Sequence, residues 1–267
     1  MSEIFSHHSD TPEFRQATAK ARETFKYFWR ELTWEQRRII PGLDISAVKI
    51  GFADQGEGGF FSKLMGRARP ADPDRREFMW VGEVGFDGYT ITGKLLNAPS
   101  SIGGYVQGQR ITVDFEEVVD WLYAMRGVAY GGFSIDLMRS EMAMAELRSH
   151  DSAWALDFGP PGTLRLTPFD EDDAEHPMSA NMAGALEEAI QEDPSLVEGS
   201  DDRGNTLLHD MALGGSFTAV DLLLAHGARP DAARRDGATP VALAKKMGWG
   251  QVVSRLERAT QESPSGG

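Results

Sequence analysis

The chain has 267 residues, of which 41% are hydrophobic and 9% aromatic, enough to bury one large core or two modest ones. It contains no cysteine, which excludes disulfide staples, thiolate zinc sites and a cysteine nucleophile. The formal net charge is −14, with 18 acids against 8 Lys and Arg in residues 168–267, so the sequence argues against a phosphate-backbone binder and favours a basic protein partner.

The N-terminal stretch "MSEIFSHHSDTPEF" has neither a basic start nor an apolar run, and nowhere do 18 apolar residues follow one another. The expectation is a cytoplasmic protein with no nucleic-acid or membrane partner. Thr11 as cap, Pro12 at the first helical position, and Phe14, Thr18, Ala21, Phe25 and Phe28 at helical spacing predict a helix over residues 11–32 that packs on a sheet. "LDISAVKIGFAD" alternates as a strand, and Gly56 to Asp74 follows as a Gly- and Pro-rich mobile loop. "EFMWVGEVGFDGYTITGKLLN" predicts a hairpin, with Asp87-Gly88 supplying the positive φ angles of a tight turn and Asn97 and Pro99 stopping the second strand. "QRITVDF" and "VVDWLYAM" predict two more strands, or a strand and a short helix. In the latter, Val119, Trp121 and Tyr123 share one face, which makes Trp121 a core residue. "GFSIDLMRSEMAMAEL" (residues 132–147) reads as one helix.

Candidate chemistry is sparse. His7 and His8 lie in the N-terminal tail, and His176 and His226 lack ligand spacing, so no metal site is expected. No glycine pattern of a phosphate-binding loop occurs, and no cofactor is expected. Glu116-Glu117 and Asp172-Asp173 read as solvated surface. His150-Asp151 has Ser140, Ser149 and Ser152 nearby in sequence, but sequence neighbours rarely face one another in a catalytic arrangement. A structural polar pair beside Trp154 is the simpler reading, and no catalytic residue is assigned.

The blocks "FWREL" (Phe28 to Leu32), "FDGYTITGKLLNAP" (Phe86 to Pro99), "DWLYA" (Asp120 to Ala124), "YGGFSIDLMRS" (Tyr130 to Ser140) and "HDSAWALDFG" (His150 to Gly159) occur in order. In these blocks the chain resembles the bacterial family called domain of unknown function 2314. The resemblance implies an α+β domain, with a mainly antiparallel sheet expected over residues 11–167, and a setting sometimes near toxin or secretion genes; it implies no activity.

"PFDEDDAEHP", residues 168–177, holds five acids and two prolines and reads as an acidic linker. Beyond it, over residues 178–260, the chain repeats itself at a spacing of 33. Gly204 maps onto Gly237, Thr206 onto Thr239, Leu208 onto Val241, Gly215 onto Gly248, Val220 onto Val253 and Leu223 onto Leu256. Thr206 and Thr239 are predicted to cap the first helix of each repeat and Gly227 to end a second helix, with "ANMAGALEEAIQEDPSLV" a degenerate first copy. This period and the G-x-T-P start resemble ankyrin repeats, short all-α arrays that usually hold another protein. The resemblance implies a buried hydrogen-bonding role for His209. It also implies partner contacts at the variable positions Asp202, Arg203, Asn205, Leu213, Arg235, Asp236, Ala238, Lys246 and Met247. The function expected is non-enzymatic protein binding, with a bacterial immunity protein that neutralises a basic secreted toxin or effector as the sharper form. The alternatives are an enzyme with its site around His150, Asp151 and the Gly56 to Asp74 loop, or a regulatory ankyrin adaptor.

Overall fold

Thr11 and Pro12 start the first helix, α1 (Pro12–Glu35), as their chemistry requires. The Thr11 hydroxyl accepts a hydrogen bond from the Phe14 N–H at 3.2 Å, and Pro12, which has no N–H to satisfy, is the first helical residue. The computed structural model of the protein describes residues 11–56, 69, 71–72, 74–169 and 175–262. Among these, the residues up to Phe28 and Ile40–Leu166 form one compact unit. Trp29–Ile39 and the residues from Thr167 onward form a second, so α1 contributes its first part to one unit and its last turns to the other.

The first unit is α+β. Strands β1 (Ile45–Ala53), β2 (Arg76–Phe86), β3 (Thr90–Leu95), β4 (Arg110–Asp114), β5 (Val118–Met125) and β6 (Val128–Gly131) form a sheet in the order β4-β3-β2-β1-β5-β6, with every pairing antiparallel. Because side chains alternate across a strand, Val48, paired with both Val81 and Trp121, shares a face with Ile50, and all four are buried. Helix α1 covers that face. The Trp121 indole N–H donates to the Ala21 carbonyl at 2.9 Å, Phe28 packs 6.1 Å from Trp121, and Phe25 meets Phe86 edge-on at 5.1 Å. On the opposite face, Leu122, Ala129, Ile135 and Phe158 form a second apolar cluster, with Trp80, Trp154 and Leu156 against it.

Two local expectations are corrected. Of the two predicted turn residues of the β2–β3 hairpin, Gly88 alone has a positive φ, +99°; Asp87 instead accepts hydrogen bonds from the Tyr89 and Thr90 N–H groups through its carboxylate. The predicted helix over residues 132–147 is two helices, α2 (Phe133–Ser140) and α3 (Met144–Trp154). Arg139 makes a bidentate pair with Asp151, both bonds 2.8 Å long. Twelve residues along one helix span about 18 Å, so the pair forms only if α3 folds back on α2.

The second unit is all-α. Its helices are α4 (Pro177–Asn181), α5 (Ala183–Glu192), α6 (Ser195–Glu198), α7 (Leu207–Leu213), α8 (Phe217–Ala225), α9 (Pro240–Met247) and α10 (Gly250–Glu262). The ends of α5 and α8 are 33 residues apart, as are the starts of α8 and α10. Trp34, in the part of α1 that belongs here, stacks on His176 at 6.0 Å, and the His176 ring lies 3.2 Å from the Glu31 carboxylate. His176, read from the sequence as linker, is therefore a buried residue. Its Nδ1 accepts from the Met178 N–H and caps α4. Linker residues 170–174, most of the Gly56 to Asp74 loop, and His7 and His8 lie outside the described residues. Among the described residues no helix is long and apolar enough to cross a membrane.

Candidate functional site

The turns that precede α7 and α9 are built by the same hydrogen bonds, displaced by one repeat. Asp201 N–H donates to the Asn205 carbonyl at 3.0 Å and Gly204 N–H to the Asp201 carbonyl at 2.8 Å; Arg234 N–H to Ala238 and Gly237 N–H to Arg234 repeat this at 2.9 Å each. Gly204 and Gly237 have φ near +80°, a conformation that costs a residue with a Cβ and costs glycine little. Each turn is braced by one aspartate. Asp201 accepts from the Arg203 and Asn205 N–H groups, and these bonds hold its carboxyl below the usual range. Asp236 accepts from the Ala238 N–H and pairs with Arg234, and the Arg234 bond is the main reason its carboxyl is depressed. The Arg235 N–H donates to the Arg203 carbonyl at 2.8 Å, which ties one turn to the next.

Thr239 caps α9 by accepting from the Ala242 N–H at 3.3 Å, and Thr206 and His209 form a reciprocal capping box at α7. His209 is fully buried. Its Nδ1 accepts from the Thr206 N–H at 3.1 Å, so the ring proton sits on Nε2, 3.3 Å from the Ala238 carbonyl. Burial pushes its pKa below the ordinary histidine value. The His209→Ala variant is therefore expected to lose about 1 to 3 kcal/mol of stability in chemical denaturation, the cost of a cap and an unanswered buried acceptor. A histidine kept neutral by the fold adds stability above its unfolded pKa of about 6.5, and that stability is lost as pH falls, because the unfolded chain takes up the proton first. The denaturation midpoint of the wild type should fall on acidification from neutral pH more than that of the variant; parallel curves would show that His209 does not couple folding to protonation.

The residues expected at the interface divide in two. Asp202, Arg203, Arg235, Asp236 and Lys246 are exposed and Asn205 is half-buried. Leu213, Ala238 and Met247 are buried, at 3%, 4% and 8% exposure, which corrects the expectation that they are exposed. Leu213 and Met247 belong to the apolar interior of the helices, and the Leu213 carbonyl accepts from the Trp249 indole at 3.0 Å. Ala238 is enclosed because its carbonyl faces the Arg234 N–H and the His209 ring. The sequence reading also passed over Arg234, 6% exposed, which braces the second turn through Asp236; its spacing of two from that aspartate was the available signal.

In the first unit, one group of ionisable residues surrounds Asp120 and another surrounds His150. Lys49 on β1 stands opposite Asp120 on β5, and Asp120 accepts from the Trp121, Phe133 and Ser134 N–H groups and from the Ser134 hydroxyl at 2.7–2.9 Å. Lys49 Nζ lies 3.1 Å from Ser134 Oγ. Burial lowers the Lys49 pKa and raises that of Asp120. His150 is held at both nitrogens. Nδ1 lies 3.0 Å from Asp151 and Nε2 accepts from the Trp154 indole at 3.1 Å, with Phe158 packed 6.1 Å away. Asp151 is committed to Arg139, and the Ser140 hydroxyl donates to its own helix at Asp136. This arrangement anchors α3.

Residues 11–158 match the family described as uncharacterized protein conserved in bacteria (DUF2314). The chain belongs to this family. It is 36% identical over 254 residues to a protein of Neisseria meningitidis serogroup B named "Putative ankyrin repeat protein", an alignment covering 93% of this chain and 94% of that one. A 70-residue stretch is 29% identical to the uncharacterized protein YegJ of Escherichia coli and covers 26% of this chain and 46% of that protein. The DUF2314 match takes in the whole sheet, α2 and α3, whereas the repeated turns lie beyond it. The longer alignment to the Neisseria protein covers too much of this chain to stop at the family's boundary.

Proposed function

We propose that this DUF2314 protein is a non-enzymatic protein-binding protein and, more specifically, a cytoplasmic immunity protein that binds and neutralises a cognate secreted toxin. The observation that carries the reading is the pair of braced turns, which hold Asp202, Arg203, Arg235 and Asp236 at the surface in equivalent positions one repeat apart. A recognition surface needs side chains presented on a rigid scaffold, because side chains already ordered lose less entropy on binding. The name of the Neisseria relative supports an ankyrin-type array. The commitment of His150 and Asp151 to packing and ion pairing supports a non-catalytic role. The excess of acids beyond residue 167 suits a basic toxin surface, since opposite charge mainly accelerates association and selects the partner.

The test is binding to the product of the adjoining gene. Calorimetry with the Arg203→Glu/Arg235→Glu variant is expected to show affinity weakened about tenfold or more, with thermal unfolding unchanged because both side chains are exposed. Unchanged affinity would move the interface away from the turns. If the adjoining product neither binds nor is neutralised on co-expression, the immunity reading fails.

A further inference from the structure

The first unit contains a cleft of about 900 Å³ beside the N-terminal half of α1, within the size range of small-molecule sites. In a chain of net charge −14 its wall carries four arginines, Arg15, Arg22, Arg75 and Arg76, against three carboxylates, Asp74, Glu116 and Glu117. Two of the arginines are committed. Arg22 stands 3.5 Å from the Glu116 carboxylate and donates to the Val118 carbonyl at 2.7 Å; Arg76 pairs with Glu117 and donates to the Gly51 carbonyl at 2.8 Å. Arg15 and Arg75 make no side-chain ion pair or hydrogen bond with a described residue, which leaves two guanidinium groups against the single carboxylate of Asp74. Phe14 and Phe78, with rings 5.2 Å apart and both half-buried, supply an apolar wall. The Thr18 hydroxyl, on the same lining, is shielded from solvent and has no hydrogen-bond partner among the described residues.

We infer that this cleft binds a small organic anion, with a phosphate or carboxylate head on Arg15 and Arg75 and an aromatic body against Phe14 and Phe78. The planar guanidinium fork matches the paired oxygens of either head, and the aromatic pair removes the body of the ligand from water.

Phenyl phosphate and benzoate are the probes, with phenol and inorganic phosphate as the separate halves of the first and benzyl alcohol and formate standing for the ring and the head of the second. Titration of the full chain, followed by calorimetry, is expected to show phenyl phosphate or benzoate binding about tenfold or more tightly than either half. Preference for the first identifies a phosphate ligand and preference for the second a carboxylate ligand. The Arg15→Ala/Arg75→Ala variant should lose about tenfold or more in affinity. Both residues are exposed, so its thermal unfolding without ligand should match the wild type. Should that variant fail to fold, Arg15→Lys keeps the charge, loses the fork and is expected to weaken binding in the same direction. No binding of either probe at about 1 mM, or equal affinity in wild type and a folded arginine variant, overturns the inference. Because no protein partner enters the titration, its failure leaves the protein-binding reading untouched.

Discussion

Trp121→Ala is expected to destabilise the first unit by about 3 to 5 kcal/mol, the cost of emptying a buried aromatic site. Trp121 is fully buried on the sheet face under α1 and has a hydrogen-bonded indole. Its ring stacks on Tyr123 at 6.0 Å and meets Phe133 edge-on at 5.8 Å, so the loss reaches both β5 and the start of α2. The Ala21 carbonyl it bonds lies within α1, so truncation also weakens the seat of the helix on the sheet. A domain of this size has about 5 to 15 kcal/mol of total stability, and the variant should therefore be largely unfolded at temperatures the wild type tolerates. Urea denaturation followed by circular dichroism measures this directly. A soluble variant with an unaltered midpoint would show that the surroundings of Trp121 are not the core described.

The second large effect is expected at Asp120. Removing an acceptor shared by several buried donors costs about 1 to 3 kcal/mol for each donor left unanswered, and Asp120 accepts from four. Asp120→Ala takes the carboxylate from opposite Lys49 and, in the same step, the acceptor from the Phe133 and Ser134 N–H groups that begin α2. Lys49→Met is expected to cost clearly less. The Trp121, Phe133 and Ser134 N–H groups keep their acceptor in that variant, so the start of α2 stays anchored. The comparison is made by urea denaturation of the two single variants. Equal losses would show that the interaction with Lys49, and not the anchoring of α2, is what Asp120 contributes.

Much of what surrounds the candidate surface is legible in the sequence. Thr11 and Pro12 mark a helix start through local chemistry alone, and the spacing of 33 announces repeated turns because each repeat must reuse the same glycine, cap and apolar positions. The same logic identifies His209 as a structural residue, since a cap and the following turn recur together. Exposure within a repeat was less accessible. The pattern marks Leu213, Ala238 and Met247 as variable, but variability in a pattern does not say whether a side chain meets solvent, and all three are buried.

The sequence by itself determined the elements whose signals lie within one or two turns of chain: α1, the β2–β3 hairpin, the strand around Trp121, the capped repeats and the absence of thiol chemistry. Only the tertiary structure decided the rest. Arg139 reaching Asp151 breaks an apparently continuous helix in two, and His176 leaves an acidic stretch to stack on Trp34. The last turns of α1 join the helical unit, and four arginines from α1 and the β2 region meet in one cleft. Each of these depends on residues distant in sequence, 12 positions apart for Arg139 and Asp151 and 145 for Glu31 and His176. Local propensity cannot encode such pairings, because the energy that decides them appears only when distant side chains are desolvated together.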